Sequence, residues 1–202
     1  RATVYTVDYR LAPEHPFPAG RHDAVTAYQG LLATGISPTQ VIVAGESAGG
    51  GIALGLLADL TATKMALPAG GYLMSPWVDL GMTGRSIHDQ QDHDPALTRH
   101  GLQLRAADYI GNRTADDPAV SPLFADLTTL PPLLIQVGGN EILLDDATRL
   151  ATSAAAQKVD VTLQVTADVP HVFQAFWSQL TEADQALQRG AEFIREQLDI
   201  GA

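Results

Sequence analysis

The chain has 202 residues, and its 23 aspartates and glutamates outnumber its 12 lysines and arginines, giving a formal net charge of −11 at pH 7. This acidic balance argues against binding to nucleic acid or to anionic membrane surfaces. The absence of cysteine excludes a disulfide framework, a thiolate nucleophile and a cysteine-ligated metal site. The length suits one buried α/β core, and no apolar run is long enough for a membrane span, so we expect a cytoplasmic protein.

Short apolar runs alternate with helical stretches along the chain. This pattern is typical of an α/β protein with a mostly parallel sheet and helices on both faces. Prolines interrupt residues 11–18, which predicts an irregular loop because proline suits the interior of neither helix nor strand. The elements predicted for the first part of the chain are a strand over residues 2–8, a helix over 19–33, a strand over 41–45, a helix over 48–63 and a strand over 70–75.

Residues 79–125 are less regular and contain one clear helix, near residues 98–110. We expect this segment to be an insertion that lies over the sheet, close to a cap, within a single domain covering residues 1–202. The elements predicted after it are a strand over residues 132–138, a helix over 145–158, a strand over 161–166 and a helix over 178–198.

Residues 45–49 read GESAG and lie between an apolar run and a predicted helix. In a nucleophile elbow of this G-x-S-x-G form, the chain leaves a strand, turns sharply and enters a helix, with a strained serine at the apex. We expect Gly45 and Gly49 to be required because a Cβ at either position would collide with the neighbouring turn. The pattern predicts Ser47 as a nucleophile, with the free N–H groups of the helix start directed at an oxyanion.

A serine hydroxyl needs a base to take its proton, and the base needs an acid to orient it. With this elbow the chain order is serine, acid, histidine, and the side chains lie beyond the carboxyl ends of strands. Of the six histidines, only His171 follows both the elbow and the strand predicted over residues 132–138. We therefore predict His171 as the base, although a histidine beside valine and phenylalanine also suits a structural role.

The acid is less narrowly determined. Residues 138–146 read GGNEILLDD, and Glu141 lies just beyond a predicted strand, where its carboxylate could reach His171. Asp145 and Asp146 suit the first turn of the following helix, where acidic side chains interact favourably with the helix dipole. Position favours Glu141, and Asp145 remains the alternative.

A second cluster of polar side chains lies before the helix predicted near residues 98–110. These side chains could bind a metal, but their spacing defines no coordination geometry, so a solvated loop is the favoured interpretation and we expect neither metal nor cofactor. The residues concerned are His88, Asp89, Asp92, His93 and Asp94.

The chain resembles the bacterial hormone-sensitive-lipase-like family of α/β-hydrolases over essentially its whole length. The motifs that carry the resemblance occur in the expected order: DYRLAPE at residues 8–14, GESAGG at 45–50, SPL at 121–123, PPLLI at 131–135 and PHVF at 170–173. The resemblance implies an α/β-hydrolase fold and a serine carboxylesterase that acts on short- to medium-chain esters without a cofactor.

The same resemblance assigns roles to four residues. Ser47 is the nucleophile, His171 the base and Glu141 the residue at the acid position, and the amide of Ala48 is one oxyanion donor. Glu46 stands where the family often has aspartate, which we expect to be tolerated. Glu141 also stands where many relatives have aspartate, which keeps Asp145 open as the acid.

The family's His-Gly-Gly-Gly loop, which supplies the other oxyanion amides, has no counterpart in these 202 residues. In the family it precedes the strand predicted over residues 2–8, and this sequence begins at Arg1 without methionine. The resemblance therefore implies an N-terminally incomplete domain that lacks a central strand. Losing a central strand leaves backbone groups unpaired, and losing one oxyanion donor costs about a hundredfold or more in rate. We therefore expect the isolated chain to be weakly folded and nearly inactive.

Two other functions remain open. A ligand-binding protein without activity would keep the pocket and lose the base, and the presence of His171 argues against it. Hydrolysis of lactones or amides would use the same three residues, because the selection among substrates lies in the pocket.

The residues of that pocket are weakly indicated, since buried aromatic side chains are more often part of a core than in contact with a ligand. Relatives often form homodimers through an edge strand or a terminal helix, so residues 161–166 and 178–198 are the expected place for such a contact. The side chains that could line the acyl site are Trp77, Val78, Tyr109, Phe173 and Phe176.

Overall fold

The computed structural model describes residues 2–199, in which strands and helices alternate as expected for an α/β protein. Short 3₁₀ helices lie at Pro38–Gln40, Pro122–Phe124 and Phe173–Phe176. The longer elements, in chain order, are α1 (Ala19–Ala33), β1 (Ile42–Glu46), α2 (Ser47–Ala62), β2 (Gly70–Met74), α3 (Ser86–Asp89), α4 (Arg99–Ile110), β3 (Leu133–Gly138), α5 (Leu144–Ala156), β4 (Val161–Thr166) and α6 (Thr181–Gln197).

The four strands form one parallel sheet in the spatial order β1-β2-β3-β4. In the register of this sheet, Tyr72 is the partner of Ala44 on one side and of Leu134 on the other. Strands that follow one another in the chain are therefore neighbours in space. Their carboxyl ends lie along one edge of the sheet in the same order.

Helices cover both faces of the sheet, as predicted. Successive strand residues point to opposite faces. Leu73 and Ile135 are fully buried in a core that they share with side chains of α2 and α5. Gln136, the residue after Ile135, points the other way, and its Nε2 atom donates a hydrogen bond to the carbonyl of Ala186 in α6 at 2.8 Å.

A second apolar core lies at the carboxyl ends of the strands. It combines side chains from the loop after β2, the loop after β3 and helix α4, so much of segment 79–125 packs over this end of the sheet. The interpretation of the segment as an insertion remains a prediction. The buried members of this core are Trp77, Leu80, Ile87, Leu102, Ala106, Val120, Ile142 and Leu143.

The strand predicted over residues 2–8 is wrong. These residues form no ladder with any strand described in the structure, and Val4 and Tyr5 are 82% and 63% exposed. A β-strand requires partners for its backbone groups, and local β-propensity alone does not supply them. The later elements are confirmed to within a few residues. Helix α6 starts at Thr181 rather than 178 because a 3₁₀ helix and turns precede it.

Among the helices within residues 2–199, none is both long enough and apolar enough to cross a lipid bilayer.

Candidate active site

Each of the four strands leads at its carboxyl end into a polar residue of the site. Ser47 follows β1 directly and Ser75 follows β2, while Glu141 and His171 lie in the loops after β3 and β4. Because the strands are parallel and lie in the order β1-β2-β3-β4, all four residues are at the same edge of the sheet. The edge thus contains the predicted nucleophile, acid and base.

The backbone at Ser47 has the strained conformation predicted for an elbow. Its φ angle is 50°, in the left-handed region that residues with a Cβ seldom adopt. The residue is also the first of helix α2, so the chain changes from strand to helix at this point. The amide of Trp77 donates a hydrogen bond to the Ser47 carbonyl at 2.9 Å, which ties the elbow to the loop after β2.

Only one of the two glycines of the motif is required by contacts. A Cβ at Gly45 would overlap the carbonyl oxygen of Gly49 and lie 2.8 Å from the amide nitrogen of Gly50, as predicted. The same prediction for Gly49 is wrong: apart from its chain neighbours and the backbone of its own helix, a Cβ there would meet no atom of residues 2–199 within 4 Å. The close approach in the first turn of α2 occurs at Gly50 instead, where a Cβ would lie 2.9 Å from the Cβ of Pro76.

Ala48 is exposed in the first turn of α2. Amides in the first turn of a helix have no carbonyl partner within the helix, so they are available to an acceptor from outside. The positive end of the helix dipole adds to the attraction for a negatively charged oxygen. This position is consistent with the oxyanion role that the sequence predicts for the Ala48 amide.

His171 and Glu141 are in direct contact. The Nδ1 atom of His171 lies 2.7 Å from Oε2 of Glu141, and the side chains are 8% and 0% exposed. A carboxylate only accepts hydrogen bonds, so this contact assigns a proton to Nδ1, and in the neutral imidazole the lone pair is then on Nε2. The amide of Gly138 donates to the other carboxylate oxygen, Oε1, at 2.6 Å, which holds Glu141 at the end of β3.

Asp145, the alternative acid, is engaged elsewhere. Its carboxylate accepts hydrogen bonds from the amides of Arg85 and Ser86 at 2.6 and 3.2 Å. It lies in the first turn of α5 together with Asp146, as the sequence predicts for both aspartates. The described contacts therefore favour Glu141 as the partner of His171.

Ser75 belongs to the site and is missed by the sequence reasoning. Its hydroxyl donates to Oε1 of Glu141 at 2.7 Å and accepts from the amide of Val172 at 3.1 Å. The side chain is fully buried. The sequence does contain a signal, because Ser75 ends a predicted strand at the edge where the other three residues are expected. A serine at a strand end is too common to be selected on that ground alone.

Two more polar residues hold the acid loop. Oδ2 of Asp94 accepts a hydrogen bond from the amide of Ile142 at 2.9 Å, and the hydroxyl of Ser86 donates to the Ile142 carbonyl at 2.7 Å. The sequence placed Asp94 in a potential metal cluster. Within residues 2–199, no group of three or more metal-binding side chains of His, Cys, Asp or Glu is close enough to hold an ion.

A buried carboxylate lies beneath the loop after β2. Oδ2 of Asp146 accepts hydrogen bonds from the amides of Val78 and Asp79 at 2.8 and 2.9 Å. The pKa of Asp146 is raised to about 7, mainly by burial; the neighbouring charge of Asp79 adds to the rise, while the two amide bonds and Arg149 oppose it. Asp146 thereby helps to hold the loop whose Trp77 amide bonds to the elbow.

The aromatic residues considered for an acyl pocket have different environments. Trp77 and Val78 are buried in the apolar cores, and Phe173 is fully buried beside α6. Tyr109 is partly buried and packs edge-to-face against Phe17, with the ring centroids 5.8 Å apart. Phe176 is 41% exposed.

Comparison with known proteins shows a match to a family model described as the alpha/beta hydrolase fold, over residues 1–175. An esterase from Acinetobacter venetianus is 42% identical over 191 residues, which are 94% of this chain and 63% of that protein. An acetyl-hydrolase from Streptomyces hygroscopicus is 38% identical over 194 residues, 96% of this chain and 65% of the other. The chain therefore spans less than two thirds of the length of either relative.

Solved structures agree with these similarities. The crystal structure of an esterase from the bacterial hormone-sensitive lipase family superposes with a TM-score of 0.92 at 47% identity, covering 95% of this chain and 64% of the other. A crystal structure of EstE5 soaked with p-nitrophenyl butyrate superposes with a TM-score of 0.92 at 43% identity, covering 95% and 65%. The resemblance inferred from the sequence motifs is confirmed.

Proposed function

This chain belongs to the α/β-hydrolase fold family, and from that premise we propose that it carries the nucleophile, base and acid of a serine carboxylesterase. The main support is the 2.7 Å contact between Nδ1 of His171 and Oε2 of Glu141, at the sheet edge where Ser47 occupies a strained elbow. Relatives at 42% and 38% identity are an esterase and an acetyl-hydrolase. Esters with short to medium acyl chains are the proposed substrates.

The proposed reaction has two halves. In the first, Nε2 of His171 takes the proton of the Ser47 hydroxyl as the serine oxygen attacks the ester carbonyl carbon. The tetrahedral intermediate collapses when the same proton passes to the leaving alkoxide, which departs as the alcohol and leaves an acyl group on Ser47. In the second half, His171 deprotonates a water that attacks the acyl carbon, and the proton returns to Ser47 as the acid leaves.

Glu141 and Ala48 have supporting parts in this scheme. Glu141 keeps the ring of His171 in the tautomer whose Nε2 accepts a proton, and its charge stabilises the imidazolium that forms in each half-reaction. The Ala48 amide donates to the oxyanion of both tetrahedral intermediates. These steps use no metal and no cofactor.

We also propose that the remaining oxyanion donors are supplied by residues outside these 202. Two observations support this. Strand β1 has β2 on one side and no other partner among residues 2–199. Val4 and Tyr5, in the segment expected to be a strand, are exposed rather than packed. The chain tested alone should therefore be far slower than the same chain with the upstream part of its coding sequence included.

Labelling with a fluorophosphonate tests the nucleophile directly, because only an activated serine reacts. The probe is applied to the 202-residue chain and to the extended chain, with p-nitrophenyl butyrate as the substrate for turnover, and the adduct is mapped by mass spectrometry. The proposal expects an adduct on Ser47 that His171→Ala abolishes, and faster labelling of the extended chain. A folded extended chain that neither labels nor hydrolyses the ester would favour a ligand-binding protein without activity.

A further inference from the structure

Ser75 connects the loop of the acid to the loop of the base through a single hydroxyl. Its Oγ atom donates to Oε1 of Glu141 at 2.7 Å and accepts from the amide of Val172 at 3.1 Å. Val172 follows His171 in the chain. The hydroxyl therefore contacts the acid itself and the backbone directly beside the base.

The orientation of the Glu141 carboxylate depends on this contact. Oε1 has two donors, the hydroxyl of Ser75 and the amide of Gly138 at 2.6 Å, while Oε2 faces Nδ1 of His171. Two donors on one oxygen restrict rotation of the carboxylate about its terminal bond. Removing the Ser75 hydroxyl would leave Oε1 with the Gly138 amide as its donor, so the carboxylate that presents Oε2 to His171 would be held less firmly.

The backbone on both sides of the contact is strained. Ser75 has a φ angle of 45° and Val172 one of 49°, both in the left-handed region. That conformation is especially unfavourable for a β-branched residue such as valine. The hydrogen bond from the Val172 amide to Ser75 joins the two strained positions directly. Strain of this kind persists where the surrounding contacts hold it and concentrates at functional sites.

We propose that Ser75 is a positioning residue of the active site, whose hydroxyl orients the Glu141 carboxylate and holds the His171 loop in register with it. This inference rests on the proposed esterase function for its kinetic consequence. The orientation of the His171 ring is a property of the folded protein and can be measured without turnover.

If Ser75 only stabilised the fold, its replacement would have the same effect as the loss of any other buried serine hydroxyl. The chain contains a matched control for this alternative. Ser121 is also fully buried, and its hydroxyl donates to the carbonyl of Ala115 at 2.6 Å and accepts from the amide of Leu80 at 2.8 Å. It therefore loses the same kind of hydrogen bonds when replaced by alanine. None of its partners is Glu141, His171 or a neighbour of either residue.

The test compares Ser75→Ala with Ser121→Ala in the extended chain. Proton NMR measures the resonance of the Nδ1 proton of His171, which reports the geometry of its bond to Glu141. Hydrolysis of p-nitrophenyl butyrate gives kcat and KM. We expect Ser75→Ala to shift or broaden the resonance and to lower kcat by about tenfold to a hundredfold with little change in KM. Ser121→Ala should leave the resonance unmoved and kcat within about twofold.

A second variant covers the case in which Ser75→Ala does not fold. Ser75→Gly removes the same hydroxyl, and because glycine tolerates the positive φ angle, this variant should be more stable than Ser75→Ala. It should show the same change in the His171 resonance and in kcat. The proposal is overturned if the folded Ser75 variant retains the parent resonance and loses no more kcat than Ser121→Ala. If the parent shows no turnover, the esterase proposal fails, and the resonance alone decides whether Ser75 positions His171.

Discussion

The carboxylate of Asp94 accepts a hydrogen bond from the amide of Ile142 at 2.9 Å, and Ile142 directly follows Glu141 in the chain. The carbonyl of Ile142 is held as well, by the hydroxyl of Ser86 at 2.7 Å. Both polar backbone groups of Ile142, the residue after Glu141, are thus bonded to segment 79–125. The position of Glu141 consequently depends on a segment that is distant in sequence and packs over the sheet edge.

Replacing Asp94 by alanine should weaken this support. The variant loses the bond to Ile142 and two bonds to the amides of Ala96 and Leu97, each 2.8 Å long. We expect the free energy of unfolding, measured in urea, to fall by about 1–3 kcal/mol, since hydrogen bonds to charged groups contribute on that scale. Asp92→Ala is the control, because Asp92 is exposed and its side chain forms no hydrogen bond within residues 2–199. Equal stability of the two variants would contradict this account of Asp94.

The strain at Ser47 makes a separate prediction about stability. With a φ angle of 50°, the residue is in a conformation that glycine adopts freely and that alanine does not. Ser47→Gly and Ser47→Ala should both abolish fluorophosphonate labelling, but the glycine variant should be more stable by about 1 kcal/mol. Urea unfolding of the two variants gives the difference. An alanine variant as stable as the glycine variant would mean that the elbow relaxes and stores no strain.

Much of the fold could be predicted because its signals are local. The apolar runs at residues 132–138 and 161–166 predict the strands Leu133–Gly138 and Val161–Thr166 almost to the residue. Residues 2–8 have an equally good strand composition, yet they form no strand in the structure. The difference lies in a pairing partner, which is a long-range property that a short sequence window does not contain.

The site shows the same division between local and long-range information. Ser47, Glu141 and His171 could be selected by motif and chain order, because the roles proposed for them are tied to strand ends. Ser75 and Asp94 could not, because their partners Glu141 and Ile142 lie 66 and 48 residues away and the bonds form only in the folded chain. The requirement for Gly49 was wrong for a related reason, since the space around a Cβ depends on how elements pack.

Packing of α6 against the sheet can be tested with two glycines. A Cβ at Gly190 would lie 2.8 Å from the ring of Tyr72, whose hydroxyl donates to Gln136 at 2.7 Å and therefore cannot easily move. Gly190→Ala should lower the free energy of unfolding by about 1–3 kcal/mol through overpacking. A Cβ at Gly30, in α1, would meet no described atom within 4 Å outside its chain neighbours and its own helix backbone. Gly30→Ala should therefore raise the free energy of unfolding by about 0.5–1 kcal/mol. Thermal or urea unfolding measures both variants. If both substitutions change the free energy of unfolding in the same direction, the described packing of α6 is contradicted.

Asp146 predicts a pH dependence with a definite sign. Burial raises its pKa from 3.8 to about 7 in the folded chain. One of its oxygens, Oδ1, is buried without a hydrogen-bond partner among the described residues, which makes the charged form costly. Because the folded pKa is the higher one, the folded state binds the proton more tightly than the unfolded state. The resulting stabilisation is fully present below pH 3.8 and is lost as the pH rises through about 7.

The free energy of unfolding should therefore contain a contribution from Asp146 that declines by on the order of 4 kcal/mol over this range. Asp146→Asn keeps an oxygen that accepts from the amides of Val78 and Asp79 but does not titrate. Urea unfolding at intervals between pH 5 and 8 should show the parent losing stability relative to the variant as the pH rises. Asp160→Asn, at an exposed aspartate, should run parallel to the parent. If the curve for Asp146→Asn is also parallel to that of the parent, Asp146 does not hold its proton in the folded chain, and its burial is compensated by contacts that favour the carboxylate.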